Sequence, residues 1–238
     1  MKRSEINQIL RDNLALCEKY CFKLPVWGTW SVDQWLAADS SFDEVRECKL
    51  GWDVTDYGTG DYAKGGLSLF TIRNGHPHMS KKYKKTYCEK LLIVGENQIT
   101  PYHFHWAKTE DIICREGGNL LVKTYNSTPD EDYDMKNPVP VFVDGHHYKV
   151  EPGAIIRLTP GESITLPAFN YHSFWGEEGT GAVLVGEVSM VNDDENDNRF
   201  HDTVGRFPVI EEDEEPLHLL CSEYPAAMPN WMKLKLGL

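Results

Sequence analysis

The chain begins with a helical hydrophobic pattern and changes to a strand-like pattern near residue 66. Apolar side chains recur every three or four positions between residues 4 and 21, which predicts a helix with Ser4 as its N-cap. Ser31 and Asp33 precede the run Trp35–Ala38 and predict a second, short helix. We therefore expect a helical N-terminal extension over residues 1–65.

From residue 66 onward, short β-rich runs alternate with clusters of Gly, Pro, Asn and Asp. Such alternation is typical of an all-β sandwich or barrel. The Asp144-Gly145 pair between two apolar runs predicts a tight hairpin. We expect a jelly-roll or barrel core of about eight to ten strands over residues 66–238, which forms a single domain with the helices. The predicted strands cover residues 67–72, 90–94, 119–125, 139–143, 148–150, 154–158 and 182–188.

Composition and charge narrow the class of protein. The 238 residues are 41% apolar and 26% charged, as in an ordinary globular domain. The 37 acidic and 24 basic residues give a formal net charge of −13, which opposes binding to nucleic acid or to an anionic membrane. The N-terminus lacks a secretory signal pattern, and the six cysteines form no C-x-x-C pair, so we expect a cytoplasmic protein with reduced thiols.

Two segments carry candidate metal-binding chemistry. On a strand, His103 and His105 would project to the same face, and Glu110 follows five residues later. Two imidazoles and a carboxylate make a partial metal shell. In the second segment, His172 lies among aromatic residues and could add a ligand from across a barrel. A lone histidine in such surroundings is more often structural.

Together the two segments resemble the cupin motifs. The first reads H-x-H-x4-E-x6-G and the second reads G-x5-P-x4-H. Phe169 stands where a glycine is common, and Gly176 stands in place of an asparagine. The resemblance implies a cupin double-stranded β-helix, which is a jelly-roll barrel, and metal ligation by His103, His105, Glu110 and His172. A metal-free cupin scaffold with a histidine-lined core is the alternative.

The wider sequence is similar to one branch of the cupins, the D-lyxose isomerase family of sugar isomerases. The resemblance spans nearly the whole chain. It implies a divalent metal, usually manganese, and reversible conversion of D-lyxose to D-xylulose, with D-mannose and D-fructose as related sugars. The segments that carry it are Phe22–Pro25, Gly51–Asp56, Leu69–Gly75, Cys88–Glu110, Asn192–Asp194, Asp197–Asn198 and Arg206–Asp213.

Such a reaction needs a base outside the metal shell. Glu211 and Glu212 lie in the last matching segment and are the candidate bases, although an acidic run is often a solvated loop. Lys90, on the strand that leads into the metal motif, is the candidate cation for a sugar oxygen or for the enediolate. Its alternative is an exposed strand-end lysine. Arg206 is a candidate partner for the acidic segment.

Four protein ligands would leave two open positions on a six-coordinate ion. This favours Mn²⁺, with Co²⁺ or Fe²⁺ as substitutes, over tetrahedral Zn²⁺. Three other functions share the scaffold: a cupin phosphosugar isomerase, an Fe²⁺ dioxygenase and a non-catalytic metal-dependent sugar-binding module. The acidic charge and the lack of a glycine-rich phosphate cradle weigh against the phosphosugar. We expect a free sugar as substrate and, from the resemblance, a homodimer.

Overall fold

The computed structural model of the chain describes residues 1–205 and 208–229. In the described residues, three α-helices precede all of the strands: α1 (Arg3–Lys19), α2 (Val32–Ala37) and α3 (Asp43–Glu47). The predicted first helix is confirmed, but Ser4 is not its N-cap. Lys2 occupies that position without a side-chain hydrogen bond, and Ser4 instead donates its N–H and hydroxyl to Asp213, at 2.9 and 2.7 Å. Arg206 lies outside the described residues.

The second helix begins as its sequence predicts. Ser31 Oγ accepts the N–H of Gln34 at 3.3 Å, and Gln34 Oε1 accepts the N–H of Ser31 at 2.9 Å. This reciprocal pair is a capping box, which satisfies two backbone donors at the helix start. It orients α2 so that Trp35 is buried among the aromatic residues of the N-terminal region.

Within the described residues, the strands form two antiparallel sheets. The strands are β1 (Gly51–Thr55), β2 (Leu67–Arg73), β3 (Tyr87–Val94), β4 (His103–Phe104), β5 (Glu110–Gly117), β6 (Leu120–Ser127), β7 (Tyr133–Asp134), β8 (Val139–Val143), β9 (His146–Val150), β10 (Ile155–Leu158), β11 (Ser163–Leu166), β12 (Asn170–Gly176), β13 (Val183–Met190) and β14 (Arg199–Phe200). The eight-stranded sheet has the order β1-β2-β3-β13-β5-β11-β8-β9, and the smaller sheet has the order β10-β6-β12-β4-β14 with β7 paired to β6.

The two sheets face each other across one apolar core. Leu92, Ile112 and Val185 enter it from the larger sheet, and Val122 and Phe174 enter it from the smaller one. Side chains alternate between the two faces of a strand, so the strands of both sheets can bury one face in this core. The all-β cupin fold with N-terminal helices is confirmed, and each of the seven predicted strands is present.

The hairpin prediction is also confirmed. Asp144 and Gly145 join β8 to β9 and have φ values of 48° and 78°. Two successive residues with positive φ match the right-handed twist of the flanking strands, which is why Asp-Gly is favoured here.

One strand lies inside the region predicted to be helical. β1 pairs with β2 at the edge of the larger sheet, and all five of its residues are buried. Trp52 and Val54 pack with α1, and Asp53 and Thr55 on the opposite face are buried as well. The run of residues 52–55 alternates apolar and polar residues as a strand does, but it covers only four positions in a region of helical signals, so the helical extension of residues 1–65 is corrected to include β1.

No helix in the described ranges has the length and apolar character needed to cross a membrane. All six cysteines are thiols rather than disulfides.

Candidate metal centre

The four predicted ligands converge between the two sheets. His103 on β4 lies directly opposite His172 on β12, and their ring centroids are 4.3 Å apart. His105 follows β4 with its ring centroid 5.2 Å from that of His103. Glu110 opens β5 in the facing sheet. One potential ligand atom from each of these four residues lies within 4.8 Å of the others.

Backbone carbonyls orient all three imidazoles. In each ring Nδ1 lies at hydrogen-bonding distance from a carbonyl oxygen, which accepts its proton. A neutral imidazole that donates from Nδ1 presents a lone pair at Nε2, the arrangement seen in metal-binding histidines. The Nδ1 distances are 2.9 Å from His103 to Pro101, 2.6 Å from His105 to Asp197 and 2.9 Å from His172 to Asn170.

The Nε2 atoms of His105 and His172 are buried without a hydrogen-bond partner. They face Glu110 Oε1 at 3.4 and 3.0 Å. Buried polar atoms are rarely left unsatisfied, because the loss of their hydration destabilises the fold. Three neutral imidazoles and one carboxylate are a donor set typical of a first-row divalent metal, so the residues present fit such an ion.

The protonation states suit a cation as well. Burial lowers the pKa of His103 well below its usual range, and the neighbouring His172 and His105 add to the effect. Burial alone would raise the pKa of Glu110, but Lys108 and His105 hold it well below its usual value. His103 therefore offers a neutral imidazole nitrogen and Glu110 offers an ionised carboxylate near neutral pH.

Two buried lysines and a second glutamate adjoin the four residues. Lys108 Nζ lies 2.7 Å from Glu110 Oε2 and 3.0 Å from Glu187 Oε1. Lys90 Nζ lies 3.1 Å from Glu187 Oε1. The side chains of Lys90, Lys108 and Glu187 are only 4%, 3% and 6% exposed. Buried ions persist in proteins when they are paired in this way.

Charged and apolar side chains together line the cavity at the cluster. Lys90, Lys108, Glu187 and Asp194 are among the charged ones, and Tyr57, Phe174 and Phe200 are among the aromatic ones. Burial would lower the pKa of Lys90, but the charge of Glu187 raises it above its usual value. Lys90 is therefore a buried cation in the cavity, and the alternative of an exposed strand-end lysine is wrong.

The structure does not bring Glu211 and Glu212 to this cavity. The exposed Glu211 bonds through its backbone to Met1 and Arg3. The Glu212 carboxylate accepts from Arg3 Nε and Nη2 at 2.8 and 2.7 Å, and its side chain is 57% exposed. The buried guanidinium of Arg3 needs these carboxylate partners, so the acidic segment lies against the start of α1, whereas Lys90 and the four candidate ligands meet inside the barrel.

The two positions that depart from the cupin pattern both have special backbone geometry. Phe169 adopts a left-handed φ of 61°, where a glycine is favoured, and its N–H donates to the carbonyl of His105 at 2.9 Å. This hydrogen bond ties the two histidine segments together. At Gly176 an added Cβ would lie 2.6 Å from the carbonyl oxygen of Gly95, so only glycine allows the close contact of these two backbones.

Two residues of the cavity were not predicted, although the sequence holds a signal for each. Glu187 lies within the predicted strand 182–188, at the same parity as the buried residues Val183 and Val185. A charged residue at a core-facing strand position is a strong functional signal, because such groups are rarely buried. Lys108 lies between His105 and Glu110 in the metal motif itself.

Comparisons with known proteins agree with this fold and show the family. A model of the family described as D-lyxose isomerase matches residues 1–224. A D-lyxose/D-mannose isomerase from Serratia proteamaculans is 49% identical, with 94% of this chain and 98% of that protein covered. One of the same name from Escherichia coli O157:H7 is 46% identical with the same coverage.

The solved structure of Cellulomonas parahominis L-ribose isomerase is similar in fold. The TM-score is 0.58 at 16% identity, over 89% of this chain and 98% of that chain. The family match spans both histidine segments and the strand that carries Glu187, and on this ground the chain belongs to the D-lyxose isomerase family.

Proposed function

We propose that this protein is a metal-dependent aldose–ketose isomerase that interconverts D-lyxose and D-xylulose, with D-mannose and D-fructose as a second pair. The relatives at 49% and 46% identity carry the name D-lyxose/D-mannose isomerase. The observation that carries the proposal is the buried Glu187 between two lysines, beside three imidazoles and Glu110. This set brings together residues that could form a metal shell, a separate carboxylate and two cations.

We propose that His103, His105, Glu110 and His172 hold Mn²⁺, with Co²⁺ or Fe²⁺ as substitutes. Four protein ligands leave two positions on a six-coordinate ion, whereas a tetrahedral Zn²⁺ site would be closed. When bound, the ion supplies a Lewis acid for two adjacent sugar oxygens.

Glu187 is the proposed base. Isomerisation moves one proton between C1 and C2 and a second proton between O2 and O1, so the base for the carbon-bound proton must have a lone pair that is not bound to a metal. Glu187 lies outside the four-residue ligand set, and Lys90 and Lys108 hold its Oε1 at 3.1 and 3.0 Å. A single carboxylate on one face of the sugar can remove the proton from one carbon and return it to the other. This role replaces the one expected of Glu211 and Glu212.

Lys90 and Lys108 stabilise the negative charge that develops on the sugar oxygens. Both ammonium groups are held in a cavity that excludes most water, where a fixed charge acts more strongly than in solvent. Their hydrogen bonds to Glu187 keep them in place before substrate arrives, which reduces the reorganisation needed during the reaction.

Turnover of D-lyxose by protein stripped of metal and then reloaded tests the function. We expect little activity without metal, restoration by Mn²⁺ and poor restoration by Zn²⁺. D-Lyxose that is bound without exchange of deuterium at C2 would indicate a sugar-binding module instead, and preference for D-glucose 6-phosphate would indicate a phosphosugar isomerase. Uptake of oxygen with incorporation of its atoms into the product would indicate a dioxygenase.

We further propose a cytoplasmic homodimer. The six thiols are compatible with a reducing compartment, and closed two-fold pairs are the commonest assembly of soluble proteins. Light scattering coupled to size exclusion measures the assembly, and a mass of a single 27.2 kDa chain would contradict the dimer.

A further inference from the structure

Asn192, which follows β13, contacts both buried lysines. Its Oδ1 accepts from Lys90 Nζ at 2.7 Å and from Lys108 Nζ at 3.3 Å. Glu187 Oε1 contacts the same two ammonium groups. Lys90 is therefore held by one charged oxygen and one neutral oxygen, whereas Lys108 is held by the charged oxygens of Glu110 and Glu187 and by the same neutral oxygen. Because both neighbours are donors, the amide must present its oxygen to them.

Asn74 fixes the backbone of Asn192 at two points. The N–H of Asn192 donates to Asn74 Oδ1 at 3.0 Å, and Asn74 Nδ2 donates to the Asn192 carbonyl at 3.1 Å. Asn74 is itself buried, with 5% of its surface exposed. Asn192 lies outside the regular strands, so this pair of hydrogen bonds replaces the support that a strand neighbour would give.

The neutrality of Asn192 matters for the charge balance of the cavity. Lys90 and Lys108 carry two positive charges, and Glu110 and Glu187 carry two negative charges. Asp194 also lines the cavity and acts on both lysines through its charge. A further carboxylate in contact with the ammonium groups would neutralise more of their positive charge, because ion pairs are strong where water is excluded. The two lysines would then attract the sugar oxygens less strongly. An amide oxygen holds the two cations and leaves their charge available.

We propose that Asn192 is a positioning residue for the isomerisation, which aligns the ammonium groups of Lys90 and Lys108 as a neutral acceptor. This inference rests on the proposed function. The lysines act on charge that develops in the transition state, so a fault in their placement lowers kcat more than it raises KM.

Two substitutions separate the position of the acceptor from its charge. Asn192→Leu removes the acceptor and keeps a similar volume, and Asn192→Asp keeps an oxygen in place and adds a charge. We expect each to lower kcat for D-lyxose by about tenfold or more, with KM changed by less than about twofold. Asn196→Asp is the matched control, because the exposed Asn196 in the same loop bonds through its side chain to Asp193 and, within the described part of the chain, to no other residue. All variants are assayed at saturating Mn²⁺, and thermal unfolding verifies that each is folded.

The outcomes distinguish a failure of the proposed function from a failure of the role of Asn192. If the unmodified protein does not turn over D-lyxose, the proposed function fails. If it does, and Asn192→Asp or Asn192→Leu keeps normal kcat, the role of Asn192 is overturned. It is also overturned if Asn196→Asp lowers kcat equally, or if KM rises while kcat holds. A fall in kcat confined to the two Asn192 variants supports it.

Discussion

His103 and His172 lie directly opposite each other on β4 and β12, with their ring centroids 4.3 Å apart. This cross-strand pair joins the two histidine segments, and the hydrogen bond from Phe169 to the carbonyl of His105 fixes their spacing. The candidate metal ligands therefore come together when these strands pair, as part of the formation of the barrel.

The first prediction concerns that pair. His172→Ala removes one of four ligands, and we expect the manganese content after dialysis to fall well below one ion per chain and turnover of D-lyxose to fall by about 100-fold or more. Elemental analysis and a turnover assay measure the two effects. His147→Ala is the control, because His147 is exposed on β9. A His172→Ala protein with a full metal content would contradict the ligand set.

Glu187→Gln tests the proposed base. The amide keeps the size of the side chain but cannot accept a proton from carbon, so we expect kcat to fall by about 100-fold or more with a small change in KM. Glu211→Gln and Glu212→Gln are expected to keep normal turnover, since both residues lie against the start of α1 and not in the cavity. The assignment is wrong if Glu187→Gln stays active while either of the other two is inactive.

Asp197 links the loop after β13 to the metal centre. Its carbonyl accepts from His105 Nδ1, and its carboxylate accepts the backbone N–H groups of Ala107 and Lys108 at 2.9 and 3.0 Å. Asp197→Ala releases these N–H groups and loosens the loop, so we expect the affinity for Mn²⁺ to fall by about tenfold. Titration calorimetry measures it. Asp202→Ala, at an exposed position beside His201, should leave the affinity unchanged, and equal loss in both variants would count against the link.

The ion pair between Arg3 and Glu212 predicts a dependence of stability on pH. The hydrogen bond from Arg3 lowers the pKa of Glu212 below its usual value, so this carboxylate binds protons more readily in the unfolded chain. Its contribution is therefore complete above about pH 4.5 and is lost as the pH falls through the lowered pKa. In Glu212→Gln we expect a smaller loss of stability between neutral and acidic pH. Denaturation at several pH values measures it, and Glu18→Gln on the exposed face of α1 should behave like the unmodified protein.

Thiol reactivity follows burial. Burial raises the pKa of Cys88 to about 12, and it raises the pKa values of Cys17, Cys48 and Cys114 to about 11. We expect a thiol reagent at about pH 8 to modify the exposed Cys21 quickly and these four only after denaturation, because the thiolate is the reactive form. Mass spectrometry of the modified sites measures it. Rapid labelling of Cys88 in the folded protein would contradict its burial.

Local patterns in the sequence determined α1, the capping box of α2, the Asp144-Gly145 hairpin and the H-x-H segment with Glu110. Each of these depends on periodicity or on spacing over a few residues, and the backbone geometry of one element explains it. The spacing of the second segment also indicated His172 before its position opposite His103 was known.

Only the tertiary structure decided which charged residues share the cavity. Glu187 lies directly opposite Lys90 because β13 pairs with β3. Lys108 precedes β5 and Asn192 follows β13, and the pairing of these two strands brings both residues to Lys90 and Glu187. No local pattern in the sequence records these pairings. The same limit explains Glu211 and Glu212, whose segment is directed by the buried Arg3 on α1 rather than by its own composition. Contacts between distant residues depend on how sheets and helices close around one core, and that closure is a property of the whole chain.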